Sequence, residues 1–342
     1  MSGATGSTYA VQAADVGKTL TVKVTGTKTG YTTASAESAD AEVAAGVITP
    51  GTVTVAGTVQ VGQTVTVVPG SWSPADVALA YQWQLDGVAV SGATGSTYAV
   101  QAGDAGKTLT VTVTGTKAGY TTASAESAGT EVAAGVITPG TVTVAGTAQV
   151  GQTVTAQAGS WSPADVTLSY QWQLDGTAVS GATGSTYAVQ AGDAGKTLTV
   201  KVTGTKTGYA TAAATSAGAV VAAGVITPGT PVISGTVQVG QTVTVVPGSW
   251  SPADVQLSYQ WQVDGVAVSG AVTSSYAVKA EDQGKTLTVT VTGLKAGYTT
   301  ASAESAGAAV AAGVITPGTP LVTGTVQVGQ TVTGVPGVWS PA

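Results

Sequence analysis

The side chains that could do chemistry in this sequence come back at a fixed interval. One copy of the pattern offers the carboxylates Asp76, Asp86, Asp104 and Glu126 and an indole, Trp72, that precedes Ser-Pro; Trp161 and Trp250 repeat it. Carboxylates can ligate calcium or, as a pair, hydrolyse a glycoside, and an open indole face can stack on a sugar. Calcium needs clustered oxygen donors, and no Asp-x-Asp run is present. Asp86 reads as a turn residue because Gly87 follows it, and Asp104 as a loop residue ahead of a strand. Trp72, Trp161 and Trp250 stay open between two roles, a plug at the end of a domain and a glycan contact.

The inventory argues against catalysis. The chain has no Cys, His, Phe, Arg or Asn, and its only Met is Met1. A serine nucleophile has no histidine to activate it, a zinc site has neither of its usual ligands, and an arginine clamp is absent. A glycosidase carboxylate pair would have to be copied in near-identical repeats, which suits a spacer better than an enzyme. The expectation is therefore no enzyme, no metal and no cofactor. Without Asn there is no N-glycosylation acceptor and no Lys–Asn crosslink, which leaves a Lys–Asp crosslink open.

Charge and hydropathy narrow the partners. Seventeen carboxylates against 11 lysines give a formal charge of -6 and a pI near 4.5, with no basic patch for a phosphate backbone, so nucleic acid is excluded as a partner. Mean hydropathy is +0.30, yet no apolar run approaches the roughly 20 residues that span a bilayer. No basic N-terminal stretch leads into an apolar one, so no signal peptide is read. Charged residues are only 8% of the chain, against about 25% in an average soluble protein, so the surface is expected to be rich in hydroxyls.

The elements that carry these residues follow from the repeat. Trp72, Trp161, Trp250 and Trp339 are spaced by 89 residues, and Gly-Val-Ile-Thr-Pro-Gly-Thr recurs from Gly46, Gly135, Gly224 and Gly313. This period suits one small domain. Boundaries at the Gly-Val-Ile-Thr-Pro linkers give complete domains at 47–135, 136–224 and 225–313. Residues 1–46 then hold only the last strands of a domain, and 314–342 only the first two. Met1 occupies the position of Val90, Val179 and Val268, and four full periods exceed the chain by 14 residues; both facts suggest a fragment of a longer array. The unfinished ends would expose Tyr9, Leu20 and Val22 on one side and Val326 and Val332 on the other, so head-to-tail self-association is a further expectation.

Within one period, alternating β-branched residues between turn formers predict strands at Thr52–Ala56, Thr64–Val68, Leu79–Leu85, Val88–Val90, Thr97–Val100 and Lys107–Thr114, with a last one inside Tyr120–Val132. Leu109, Val111 and Val113 should face inward, and Thr108, Thr110 and Thr112 outward to solvent. No segment has a sustained 3.6-residue period. The fold class is all-β: tandem antiparallel sandwiches with almost no helix.

The motif Tyr81-Gln82-Trp83 with Asp86-Gly87, then Gly92-Ala93-Thr94, Thr97-Tyr98 and Asp104-Ala105-Gly106-Lys107-Thr108-Leu109 resembles the immunoglobulin-like repeats of bacterial secreted and cell-surface proteins, of adhesin or stalk type. The resemblance covers the whole chain. It implies that Trp83, Trp172 and Trp261 are buried core tryptophans, and that Val67 and Val111 fill the layer of the missing inter-sheet cysteines. Thr108 stands where the immunoglobulin pattern has the tyrosine of its corner. The resemblance further implies a non-enzymatic extracellular spacer, stalk or adhesin segment, with any glycan or protein ligand met by other parts of a full-length protein. Three sandwiches in line would hold a terminal module roughly 100 Å from its anchor. A carbohydrate-binding repeat and a surface-layer or filament subunit are the alternatives.

Overall fold

The computed structural model describes residues 3–340. Strands and tight turns make up almost all of it, and the only helical elements among the described residues are four three-residue 3-10 turns such as Ala102–Asp104. The chain forms two compact units, one of Met1–Thr141, Ala158–Ser169 and Val202–Ala214, the other of Val142–Gln157, Tyr170–Lys201 and Thr215–Ala342. The first holds all of 47–135 and the second all of 225–313.

The copy at 47–135 shows how the sequence makes a sandwich. Its strands are β1 (Gly46–Val47), β2 (Thr54–Ala56), β3 (Thr64–Val68), β4 (Ala78–Leu85), β5 (Val88–Ala89), β6 (Thr97–Ala99), β7 (Thr108–Thr116), β8 (Tyr120–Thr121), β9 (Ala123–Glu126) and β10 (Thr130–Glu131). One antiparallel sheet has the order β2-β3-β6; the other runs β9-β7-β4-β5, with β10 also on β7. This is the two-sheet pairing of an immunoglobulin-like domain. The expected strands are present, with ends moved by one or two residues, and the last one is broken into β8, β9 and β10.

Alternation sets the faces. On β7, Leu109, Val111 and Val113 are fully buried while the threonines between them point away from the core. Thr110 and Thr112 are half-buried rather than bare, because Gln84 of β4 bonds to both hydroxyls on the outer face. The core gathers Val65, Val67, Trp83, Tyr98 and Val111 between the sheets. The hairpin β4–β5 turns on Asp86 and Gly87, whose φ angles of 51° and 76° are those of a type I′ turn, which matches strand twist in two-residue hairpins. In the second unit the copy at 225–313 repeats both sheets and the same core.

Candidate functional site

The structure first places the tryptophans. Trp83, Trp172 and Trp261 are 0% exposed, and each indole N–H donates to a backbone carbonyl, that of Gly95, Gly184 or Thr273, at 2.9 Å. Each ring stacks at 5.6 Å on a tyrosine: Tyr98, Tyr187 or Tyr276. Val67 and Val111 lie in the same core as Trp83. Trp72, Trp161 and Trp250 are buried as well, at 8%, 8% and 9% exposure. Trp72 Nε1 donates to the Pro69 carbonyl at 2.9 Å, and its six-membered ring lies on Gly115, where an added Cβ would come within 2.6 Å of it. A sugar platform needs an open ring face. These rings lie face down on β7 and its copies and close the end of the sandwich.

The carboxylates separate into unrelated tasks. Asp86 Oδ1 accepts the Thr108 N–H at 2.8 Å, tying the hairpin turn to β7. Asp104 is buried and accepts the Tyr98 hydroxyl at 2.8 Å and the Gln101 N–H at 2.7 Å, so it caps the 3-10 turn from inside. Burial, then the bond to Asp104, pushes the Tyr98 hydroxyl up to about 12. Asp76 accepts the Lys117 ammonium, and that bond holds its carboxyl below the ordinary value. Glu126 is exposed on β9, across from Thr112. No group of three carboxylates converges on a cation position among the described residues. The buried Tyr–Asp pair was not expected from sequence, although its signal was present: Tyr and Asp recur six residues apart at 9/15, 98/104, 187/193 and 276/282.

A second feature was also missed, and it lies where one repeat meets the next. In the first unit, Gly135 donates its N–H to the Gly208 carbonyl at 2.9 Å, and Gly135-Val136 pairs in parallel with Tyr209-Ala210. The Tyr209 ring covers Gly135 so closely that a Cβ there would lie 2.4 Å from its edge. Its hydroxyl reaches the preceding repeat, where a Cβ on Gly62 would be 2.7 Å away. Gly208 lies against Ala102 of that same repeat, at 2.4 Å from a built Cβ to the carbonyl oxygen. Lys206, bonded to Asp165, sits over the Tyr209 ring at 4.9 Å. The second unit has the same assembly, with Tyr298 on Gly224 and Gly151, Gly297 on Ala191, and Lys295 bonded to Asp254. The linker behind each joint is pinned too: Gln60 donates to the Ala134 carbonyl at 3.0 Å, and Val61 to Ala133 at 3.0 Å. Tyr31, which has no preceding repeat to cover it, is 69% exposed.

Sandwiches of two antiparallel sheets, copied in tandem and locked at their linkers, define a class of immunoglobulin-like repeat arrays. Three solved structures of similar fold illustrate it. A calcium-stabilised adhesin that helps an Antarctic bacterium reach out and bind ice is 17% identical over 87% of this chain and 82% of its own, at a TM-score of 0.35. A structure from a bacterial ice-binding adhesin of 1.5 MDa is 16% identical over 78% and 98%, at 0.28. The D1–D4 ectodomain fragment of ICAM-5 is 14% identical over 86% and 95%, at 0.34. No protein-family model and no curated protein matches the chain.

Proposed function

We propose that the chain is a non-enzymatic spacer or stalk segment of a bacterial cell-surface protein, in which the repeats 47–135, 136–224 and 225–313 act as mechanical units and hold a terminal module away from the cell. The observation that carries this reading is the Gly–Tyr–Gly joint. A flexible linker would leave successive sandwiches free to swing, whereas here three glycines per joint admit backbone and ring contacts that a Cβ would prevent. Sandwiches joined in this way transmit orientation, which is what a spacer requires. Glycan or protein ligands are then met by other modules of the full-length protein.

The test is small-angle scattering on the chain and on the double variant Tyr209→Ala, Tyr298→Ala. Both rings lie on the joints rather than inside a sandwich core, so the variant is expected to keep its β circular dichroism while its distribution of interatomic distances broadens and shortens. Superimposable scattering curves for folded parent and variant would refute the reading.

A further inference from the structure

In every complete repeat the strand bearing Tyr-Gln-Trp is received by one constellation. Around Trp83 it consists of the Ala93 carbonyl, which accepts the Trp83 N–H at 3.0 Å, the Gly95 carbonyl, which accepts the indole N–H, the Tyr98 ring and the edge of β7. The register on β7 sets Leu109 opposite Leu85, Val111 opposite Trp83 and Val113 opposite Tyr81. The copies around Trp172 and Trp261 make the same backbone, indole and ring contacts.

The segment before Gly46 carries this constellation as an open groove. Its volume is about 500 Å³, and Ala4, Gly6, Tyr9, Leu20, Val22 and Ser38 are among its lining residues. By the 89-residue period these are the counterparts of Ala93, Gly95, Tyr98, Leu109, Val111 and Ser127. The walls are already set. Tyr9 bonds to Asp15 at 2.6 Å, as Tyr98 does to Asp104. Val22 donates its N–H to Ser38 Oγ at 3.0 Å, as Val111 does to Ser127 at 3.1 Å. Lys23–Gly26 is paired with Ala34–Glu37 on one side only, so its other edge offers free backbone donors and acceptors. The inward-facing Val22 and Val24 are 57% and 64% exposed on that edge.

We propose that this groove is a strand-acceptor site that binds, in trans, an extended polypeptide carrying Leu-x-Tyr-Gln-Trp. The incoming strand adds antiparallel to Lys23–Gly26; its indole lies on Tyr9 and donates to the Gly6 carbonyl, and its tryptophan N–H donates to Ala4. Main-chain pairing supplies affinity and the indole pocket supplies selectivity, the division of labour of β-strand addition. The edge is a hazard left bare and a specific socket when filled.

The experiment titrates the full chain into a fluorescein-labelled synthetic peptide with the sequence Asp76–Ala89 and follows anisotropy. The expected result is saturable binding of one peptide per chain, weakened roughly tenfold or more by Val22→Lys, by Val24→Lys, and by Trp83→Ala within the peptide. The outward-facing Lys23→Thr change, which installs the residue found at Thr112, is expected to bind like the parent and serves as the folding control. Absence of saturation at millimolar chain, a stoichiometry near three peptides per chain, or affinity unchanged in both lysine variants would each overturn the proposal.

Discussion

Removing the tyrosine hydroxyl from each buried pair, in the variant Tyr98→Phe, Tyr187→Phe, Tyr276→Phe, separates packing from protonation in this fold. The ring stays on its tryptophan at the 5.6 Å stacking distance, so the change deletes only the O–H that donates to a buried carboxylate at 2.8 Å. A hydrogen bond to a charged group contributes about 1.5–3 kcal/mol, and near neutral pH each repeat is expected to lose about 2 kcal/mol. The alkaline limb sets the sharper test. Burial raises Tyr98 and Tyr187 to about 12 in the fold, against about 10 in the unfolded chain. Below pH 10 both states hold the proton and the stabilisation is complete. Between pH 10 and 12 only the unfolded state releases it, so stability falls as pH rises, by about 1.4 kcal/mol per unit and about 3 kcal/mol in all. Against a total of roughly 5–15 kcal/mol that loss is large. Urea unfolding followed by tryptophan fluorescence at pH 8, 10, 11 and 12 measures it. The parent is expected to lose stability steeply above pH 10, and the phenylalanine variant only as far as its lysines titrate. Equal alkaline slopes in the two proteins would show that the lysines, and not these tyrosines, set the limb.

Two smaller perturbations test the turn and the plug. Gly204→Ala puts a Cβ 2.7 Å from the Trp161 ring and is expected to cost about 1–3 kcal/mol of overpacking, read as a lowered unfolding transition in calorimetry. Asp175→Ala keeps a non-glycine residue at φ 49° while deleting the carboxylate that accepts the Thr197 N–H at 2.8 Å, and is expected to cost about 1–2 kcal/mol in chemical denaturation, with Asp175→Asn closer to the parent.

What the sequence made legible was whatever a local pattern decides. Strict alternation on Thr108–Thr116 gave the inward Leu109, Val111 and Val113 directly, because a period of two admits only one face. Asp86-Gly87 announced its turn because few residue pairs accept positive φ twice. Trp72 stayed undecided for an equally local reason: its neighbours are a Pro-Gly turn and Ser-Pro, and neither says which way the ring falls. Gly115 resolves it from 43 positions away, since a glycine on β7 leaves the depression into which the indole settles. The Tyr98–Asp104 pair and the Gly–Tyr–Gly joint were hidden for the same cause. Their members are glycines and a tyrosine that taken singly read as turn and strand residues, and only the fold shows that Gly62, Gly135 and Tyr209 meet.

The joints also explain where a charge-poor chain places its charges. Of the four ion pairs among the described residues, three are the copies Lys117–Asp76, Lys206–Asp165 and Lys295–Asp254, and in each the lysine lies over the ring of Tyr120, Tyr209 or Tyr298. The aspartates are about seven-tenths exposed, so the Coulomb attraction itself contributes little, within about 1 kcal/mol. What the pair fixes is direction: Asp165 holds Lys206, Lys206 lies on Tyr209, and Tyr209 bears on Gly135 and Gly62. Burial of tryptophan, leucine and valine accounts for each sandwich, and the hydroxyl-rich outer faces need no ions. Charge is concentrated where one sandwich must be held at a set orientation to the next, so high salt is the condition under which the joints, and not the sandwiches, should yield first.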